Sequence, residues 1–108
     1  MIGQLRTYTI NKGMMDSWLK LFSEQIVPLL KDADIGIHSA WVNKVPEFHA
    51  DERTQFIWIR TFDNAADLEA KESAFYGSTW WKKNVDFVRS HLAHREISVI
   101  EPFLPDKL

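Results

Sequence analysis

The 108-residue sequence contains no cysteine, which excludes disulfide bonds, thiol catalysis and thiolate metal sites. It also has little net charge, with 13 basic against 15 acidic residues, and the lack of a basic stripe argues against nucleic-acid binding. No glycine-rich phosphate loop or GxSxG elbow occurs, so nucleotide-dependent and hydrolase functions have no support. The apolar runs are too short to cross a membrane, and the N-terminus lacks the pattern of a signal peptide. We therefore predict a single cytoplasmic domain over residues 1–108.

The sequence alternates between strand patterns and helix patterns. Apolar and polar residues mix with the period of a strand over residues 2–10, 36–45, 54–62 and 95–103. Apolar residues spaced three and four apart predict a first helix over residues 14–33. We expect a kink at Pro28, because the apolar spacing continues beyond the proline.

A second helical region follows the third strand. Its limits are a cap at Asp63 or Asn64, a break at Gly77, a new cap at Ser78 and an end near Leu92. The resulting order is βαββαβ. This order predicts an α+β, ferredoxin-like fold, with a four-stranded antiparallel sheet and both helices on one of its faces.

Both faces of the predicted sheet carry apolar residues. One set of alternate strand residues includes Tyr8, Trp41 and Trp58, and the other includes Leu5 and Ile59. Two helices can cover only one face, so the other needs a partner. The simplest partner is a second copy of the chain, which predicts a homodimer or a higher homo-oligomer. The alternative is a monomer with a somewhat apolar outer face.

Five tryptophans are many for a chain of this length. Trp80 and Trp81 are adjacent on the last predicted helix, and the helical phase favours Trp81 as the core residue of the two. Large rings of this kind pack the core of many proteins, and they also form the walls of sites for flat ligands. We predict that Trp80, together with Trp41 or Trp58, lines a pocket for a small apolar or aromatic molecule.

Polar residues are interspersed among the aromatic strand positions. Arg6, Tyr8, Arg60 and Glu101 all belong to the aromatic-rich set, and the expected strand order brings Arg6 close to both Arg60 and Glu101. One interpretation is a buried Arg–Glu bridge. The other is a site in which the two guanidinium groups bind a carboxylate or an enolate and Tyr8 donates a hydrogen bond. The sequence leaves open which face of the sheet carries this set.

Histidines are the remaining candidates for acid–base chemistry or ligation. His38 lies on a predicted strand from which it could reach a pocket. His49 lies in a polar hairpin loop with acidic neighbours, which is typical of solvated loops, and we predict no metal site there. His91 and His94 lie near the end of the last helix, where a positive group suits the helix dipole.

Three segments resemble the NIPSNAP family: "LRTYTINKGMMDSWLKLF", "IVPLLK" and "FIWIRTFDNAADLEAKESAF". The resemblance covers about residues 3–103. It implies the fold of the dimeric α/β-barrel superfamily, in which two ferredoxin-like sheets close into a barrel and a pocket often lies between sheet and helices. That superfamily includes cofactor-free monooxygenases of aromatic polyketides, muconolactone isomerases and haem-degrading proteins.

The resemblance implies three functional hypotheses. The first is a pocket for a small apolar or aromatic molecule, and a cofactor-free monooxygenase or isomerase in which Arg6, Tyr8 and Arg60 stabilise an enolate. The second is a non-catalytic binding or assembly protein of the same fold. The third is a haem-binding protein with His38 or His91 as the axial ligand.

Overall fold

The computed structural model describes residues 1–44 and 54–104. Its elements follow the predicted order, with each of the two helical regions divided into shorter segments. They are β1 (Ile2–Ile10), α1 (Met15–Leu21), a π-helical segment (Phe22–Ile26), α2 (Val27–Asp32), β2 (Gly36–Val42), β3 (Gln55–Phe62), α3 (Ala65–Tyr76), α4 (Thr79–Arg89) and β4 (Leu92–Ile100). No helix within the described ranges is long and apolar enough to cross a membrane. The predicted loop around His49 lies outside the described residues.

The four strands form one antiparallel sheet in the order β2-β3-β1-β4. This is the order expected for the ferredoxin-like plan, and it confirms the predicted fold class. The even-numbered residues of β3, and those of β1 from Gln4 onward, are buried beneath the helices, whereas their odd-numbered neighbours are mostly half-exposed on the other face. We call these the covered face and the open face of the sheet.

Aromatic rings form most of the core between the covered face and the helices. Trp18 of α1 contacts Tyr8, Phe22 and Phe56, and Phe22 also meets the ring of Trp58 at a centroid distance of 5.0 Å. Several of these pairs have edge-to-face geometry, which places the positive edge of one ring on the negative face of another. The first helix thus packs on the sheet through ring contacts that lock its rotation.

Pro28 is accommodated by a change of helical register. The backbone N–H of Val27 donates to the carbonyl of Phe22, five residues earlier, and α2 begins there with Pro28 in its first turn. Proline lacks the N–H that an α-helix would require at this point, and the first turn of a helix does not need it. The helix therefore continues past Pro28 as predicted. The irregularity is a π-helical segment just before the proline.

Strand β2 contains a bulge that the sequence pattern did not reveal. Ile37 pairs with Arg60 and Ser39 pairs with Ile59, which are consecutive residues of β3, so His38 is an extra residue of β2 with no partner of its own. An extra residue reverses the alternation of side chains beyond it. The prediction that one face holds every second residue of β2 fails at this point.

Trp41 consequently lies on the open face. It pairs with Ile57, an open-face residue, and its side chain is 63% exposed. The residues on either side of it, Ala40 and Val42, pair with Trp58 and Phe56 of the covered face. Strict alternation predicts Trp41 on the same face as Trp58, and the bulge explains why that prediction is wrong.

The bounds of β4 differ from those predicted. The strand covers Leu92–Ile100, whereas residues 95–103 were expected, and α4 ends at Arg89 before Leu92. Pairing with β1 begins at Ile10 opposite Leu92 and ends at Gly3 opposite Ile100. The ladder therefore ends one residue before the start of β1 at Ile2.

Two polar side chains cap the helices of the second helical region. Asn64 Oδ1 accepts a hydrogen bond from the backbone N–H of Asp67 at 2.9 Å. Ser78 Oγ accepts one from the N–H of Trp81 at 3.3 Å. Of the two residues predicted for the first cap, the structure therefore selects Asn64, and Ser78 is confirmed as the second.

Replacing Asn64 by alanine should destabilise the protein by about 1 kcal/mol, because the N–H of Asp67 loses its acceptor. In a domain of this size this lowers the melting temperature by about 4–8 °C, measured by calorimetry. Asp63→Ala is the matched control, since it removes the neighbouring side chain and leaves the capping contact intact. An equal loss in both variants would contradict the assignment of the cap.

Candidate functional site

Two arginines of adjacent strands lie side by side on the covered face. Arg6 of β1 is 4% exposed and Arg60 of β3 is 3% exposed. Their cross-strand partners are Trp58 and Gln4 respectively, so the two guanidinium groups lie in neighbouring rows of the same surface. Charged groups removed from water in this way require partners that compensate for lost hydration.

Arg6 is well provided with hydrogen-bond acceptors. Its Nε donates to Gln4 Oε1 at 2.7 Å, its Nη1 donates to the Tyr8 hydroxyl oxygen at 2.8 Å, and its Nη2 donates to the Tyr76 hydroxyl oxygen at 2.9 Å. Two of these acceptors come from β1 itself and one comes from α3. The guanidinium is therefore held in one orientation by strand and helix together.

Arg60 has fewer polar partners and more contact with aromatic rings. Its Cζ lies 4.6 Å from the centroid of the Trp58 ring and 5.6 Å from that of Tyr76. Stacking on rings stabilises a guanidinium but leaves its N–H groups free to donate. Among the residues that the structure describes, Nε of Arg60 is buried without a hydrogen-bond partner.

One carboxylate lies between the two arginines. Oε1 of Glu72, on α3, is 3.4 Å from Nη2 of Arg6 and 3.5 Å from Nη1 of Arg60. Hydrogen bonds between a guanidinium and a carboxylate are normally near 2.8 Å, so both contacts are long. The cluster formed by Arg6, Arg60 and Glu72 thus carries two positive charges and one negative charge, and we call it the arginine cluster.

The two guanidinium groups differ in electrostatic environment. Burial by itself lowers the pKa of Arg6, but the contacts with Tyr8, Tyr76 and Glu72 outweigh burial, and the pKa is raised. Burial also lowers the pKa of Arg60, and the adjacent charge of Arg6 lowers it further, so that pKa ends below its ordinary value. Both side chains remain charged at neutral pH. Of the two arginines, Arg60 therefore has the charge that its surroundings compensate less completely.

A small cavity lies against the arginine cluster, between the sheet and the helices. Its volume is about 30 Å³, enough for one or two water molecules. The walls are aromatic on both sides, and two further arginines, Arg89 and Arg95, lie on its lining. The aromatic residues that line it are Tyr8, Trp18, Phe22, Trp58, Phe75, Tyr76 and Trp81.

The structure brings only some of the predicted site residues together. Arg6, Tyr8, Trp58 and Arg60 all line this cavity, as their shared parity suggested. Of the tryptophan pair on α4, Trp81 lines the cavity and Trp80 does not.

The other predicted residues lie at two separate places. Trp80 lines a groove between α2 and α3. His38 lines an open-face cleft together with Glu101. Trp41, displaced by the bulge, is on the open face as well.

The predicted contact between Arg6 and Glu101 is wrong. Glu101 follows β4 and is exposed, and the acidic partner is Glu72 of α3. The sequence does contain a signal for it, because Leu68, Glu72 and Phe75 are spaced by four and three residues and therefore share one helix face. A carboxylate within an apolar helix stripe is a candidate for a buried partner of an arginine.

The histidines considered as haem ligands lie outside the cavity. His91 is buried, its Nδ1 is 3.0 Å from the carbonyl oxygen of Phe87, and its ring packs on Trp18. His38 is exposed and lies 3.0 Å from Ser39 Oγ. Among the described residues, neither His91 nor His38 lines the cavity at the arginine cluster, so this cavity gives the haem-binding hypothesis no support.

Comparison with protein families identifies the chain. The NIPSNAP family model matches residues 3–104. The chain belongs to the NIPSNAP family. No curated protein matches it in sequence.

Solved structures share the fold of this NIPSNAP protein at low sequence identity. A NIPSNAP domain protein from Burkholderia xenovorans is 16% identical with a TM-score of 0.80, over 94% of each chain. A NIPSNAP family protein from Agrobacterium tumefaciens is 16% identical with a TM-score of 0.83, over 97% of this chain and 92% of that one. An antibiotic biosynthesis monooxygenase is 13% identical with a TM-score of 0.62, over 94% of this chain and 98% of that one. Identities this low establish a common fold only.

Replacing each arginine by methionine should have unequal effects on the stability of this NIPSNAP protein. Arg60→Met removes the under-paired charge and should change the free energy of unfolding by less than about 1 kcal/mol, or raise it. Arg6→Met leaves Gln4, Tyr8 and Tyr76 without their donor and should cost about 3–5 kcal/mol, as breaking a buried polar network does. Urea denaturation measures both values. Equal destabilisation by the two substitutions would contradict the description of Arg60 as under-paired.

Proposed function

We propose that the arginine cluster is the binding site for a small organic anion with an apolar or aromatic body. The observation that carries the proposal is the uneven charge balance, in which two guanidinium groups, each more than nine-tenths buried, share one carboxylate through long contacts. A carboxylate or enolate oxygen would supply the missing negative charge. The rings of Trp58, Tyr76 and Trp81 around the cavity suit an apolar or aromatic body.

The chemistry that this cluster favours is stabilisation of an enolate. The hydroxyl oxygens of Tyr8 and Tyr76 accept hydrogen bonds from Arg6, which leaves each hydroxyl its own proton to donate. Donors already held in place by neighbours stabilise developing negative charge without having to reorganise. Cofactor-free oxygenation and isomerisation both pass through such anions, and these are the reactions we propose if the site is catalytic.

Ligand binding requires the cavity to enlarge. Sites for molecules of drug size measure roughly 300–1,000 Å³, whereas the cavity at the arginine cluster measures about 30 Å³. Tyr76 of α3 and Trp81 of α4 line the cavity and are half-buried, so movement of their side chains would enlarge it. The present geometry therefore corresponds to a closed site.

The test is calorimetric titration of the protein with acetate, benzoate, 2-naphthoate and the neutral 2-naphthamide. We expect the aromatic carboxylates to bind more tightly than acetate and the amide, because only they combine a negative charge with a ring. Arg60→Met should weaken binding of 2-naphthoate by about tenfold or more, the factor for losing about 1.4 kcal/mol of a charged hydrogen bond.

Lys20→Met is the matched control for this titration. It removes one positive charge from the exposed surface of α1 and should leave the affinity unchanged. Native mass spectrometry of the untagged protein checks in parallel for a ligand that co-purifies and is lost on denaturation. Failure of every carboxylate to bind, with no co-purifying molecule, would exclude the proposed site.

The second candidate is assembly into a homodimer through the open face. Leu5, Ile57 and Ile59 are half-exposed there, Trp41 is 63% exposed, and Ile100 is also accessible. These residues are contiguous, because Trp41 pairs with Ile57 and Leu5 pairs with Ile59. A contiguous apolar surface on a sheet is typical of an interface, and a second copy presents the same surface.

Ile59→Lys should convert the dimer into a monomer, because it places a charge at the centre of the open face. Sedimentation velocity measures the change, and circular dichroism verifies that the fold is retained. Ala66→Lys, on the exposed surface of α3, is the matched control and should leave the dimer intact. A wild-type protein that sediments as a monomer would exclude this assembly.

A further inference from the structure

The arginine cluster already contains a negative group that contacts both guanidinium groups. Oε1 of Glu72 lies within 3.5 Å of both guanidinium groups, and no other described carboxylate contacts either of them. A ligand carboxylate that binds both arginines would compete with Glu72 for their N–H groups, since Glu72 contacts Nη2 of Arg6 and Nη1 of Arg60. We propose that Glu72 is an internal counterion that competes with the ligand and is displaced from the cluster when an aromatic carboxylate binds. This inference rests on the proposed function of the same cluster.

The contacts of Glu72 are weak compared with those that a free carboxylate could make. A single oxygen serves both guanidinium groups, at 3.4 and 3.5 Å, and it reaches Arg60 only through Nη1. Nε of Arg60 remains buried without a partner within the described part of the chain. A ligand carboxylate that is free to rotate can use two oxygens and bind Nε and an Nη together, the paired geometry for which a guanidinium is shaped. The two arginines can thus form more and shorter hydrogen bonds with a ligand carboxylate than with Glu72.

Glu72 also has a path out of the cluster. Its side chain is 21% exposed, in contrast to the two arginines, which are almost fully buried. Its carboxylate can therefore turn outward and regain hydration without unfolding of α3. On the preceding turn, Leu68 and the rest of the helix can stay in place while the side chain changes rotamer. Displacement then costs mainly the two long contacts.

This exchange makes Glu72 a determinant of ligand selectivity. A neutral aromatic molecule cannot replace the negative charge, so its binding would leave Glu72 where it is and would gain nothing from the arginines. An aromatic anion exchanges one negative charge for another and keeps the cluster compensated throughout. Glu72 therefore favours binding of aromatic anions over neutral analogues, because only an anion can replace its charge.

Glu72→Gln tests the inference, because it keeps the size of the side chain and removes its charge. Calorimetric titration should show 2-naphthoate binding about tenfold more tightly to the variant than to the wild type, a factor within the usual range for coupled sites. The affinity for neutral 2-naphthamide should stay the same. Glu69→Gln, an exposed glutamate on the same helix, is the matched control and should change neither affinity.

A second variant covers the case in which Glu72→Gln does not fold. Glu72→Asp shortens the side chain by one methylene, which draws the carboxylate away from the guanidinium groups and should also tighten 2-naphthoate binding. Weaker binding of 2-naphthoate by the folded variant would show that Glu72 supports the ligand and would overturn the inference. In that case, if the wild type binds 2-naphthoate and Arg60→Met does not, the proposed function would still be supported. Absence of carboxylate binding in the wild type and both Glu72 variants would instead overturn both.

Discussion

The arginine side chains of β1 and β3 occupy positions where a sheet beneath helices normally has apolar residues, and the placement of α3 depends on them. Only Phe75 of this helix is buried as a core residue. The remaining inward contacts of α3 include Glu72 with both arginines and Tyr76 with Arg6. Removing two guanidinium groups from water is costly, and the helix supplies much of what compensates for it. The position of α3 thus depends on polar contacts with the two arginines, whereas the first helical region packs through aromatic rings and aliphatic side chains such as Ile26 and Leu30.

Strand alternation in β1 and β3 separates the arginine cluster from the apolar residues of the open face. In β1, Gln4, Arg6 and Tyr8 belong to the arginine cluster or its partners, while Leu5 and Thr7 between them belong to the open face. Because the side-chain period of a strand is two, a register shift of one residue would exchange the two faces of that strand. The central position of β1 and β3 protects this register, since each is paired on both sides. The bulge lies in the edge strand β2, where a shift affects few other residues.

The sequence was sufficient to predict the architecture and the centre of the candidate site. Period-two and helical patterns gave the order of elements, and the common parity of Arg6, Tyr8, Trp58 and Arg60 placed them on one face correctly. Two other residues were misjudged, for different physical reasons. Trp41 was assigned to the wrong face because a one-residue bulge at His38 changes parity and has no composition signal such as glycine or proline. Glu72 was missed because an acid on a helix is usually solvated, although its spacing from Leu68 and Phe75 marked an inward position. Sequence patterns predict where a residue of each type usually lies. A glutamate that pairs with buried arginines does not lie in the usual, solvated position.

The free-energy cost of burying the arginine cluster is itself an argument that the cluster has a role other than stabilising the fold. A buried ion cluster is rarely the most stable way to join a helix to a sheet, because apolar residues of similar volume often give equal or greater stability. This fold shows the apolar alternative within the same chain, where Trp18, Phe22 and Phe56 hold the first helical region through ring contacts. An under-paired guanidinium beside a cavity adds a further cost that packing does not require. Stability alone therefore does not account for Arg60. The proposed recognition of an anion would account for it, because a carboxylate bound at the site would supply the partners that Arg60 lacks.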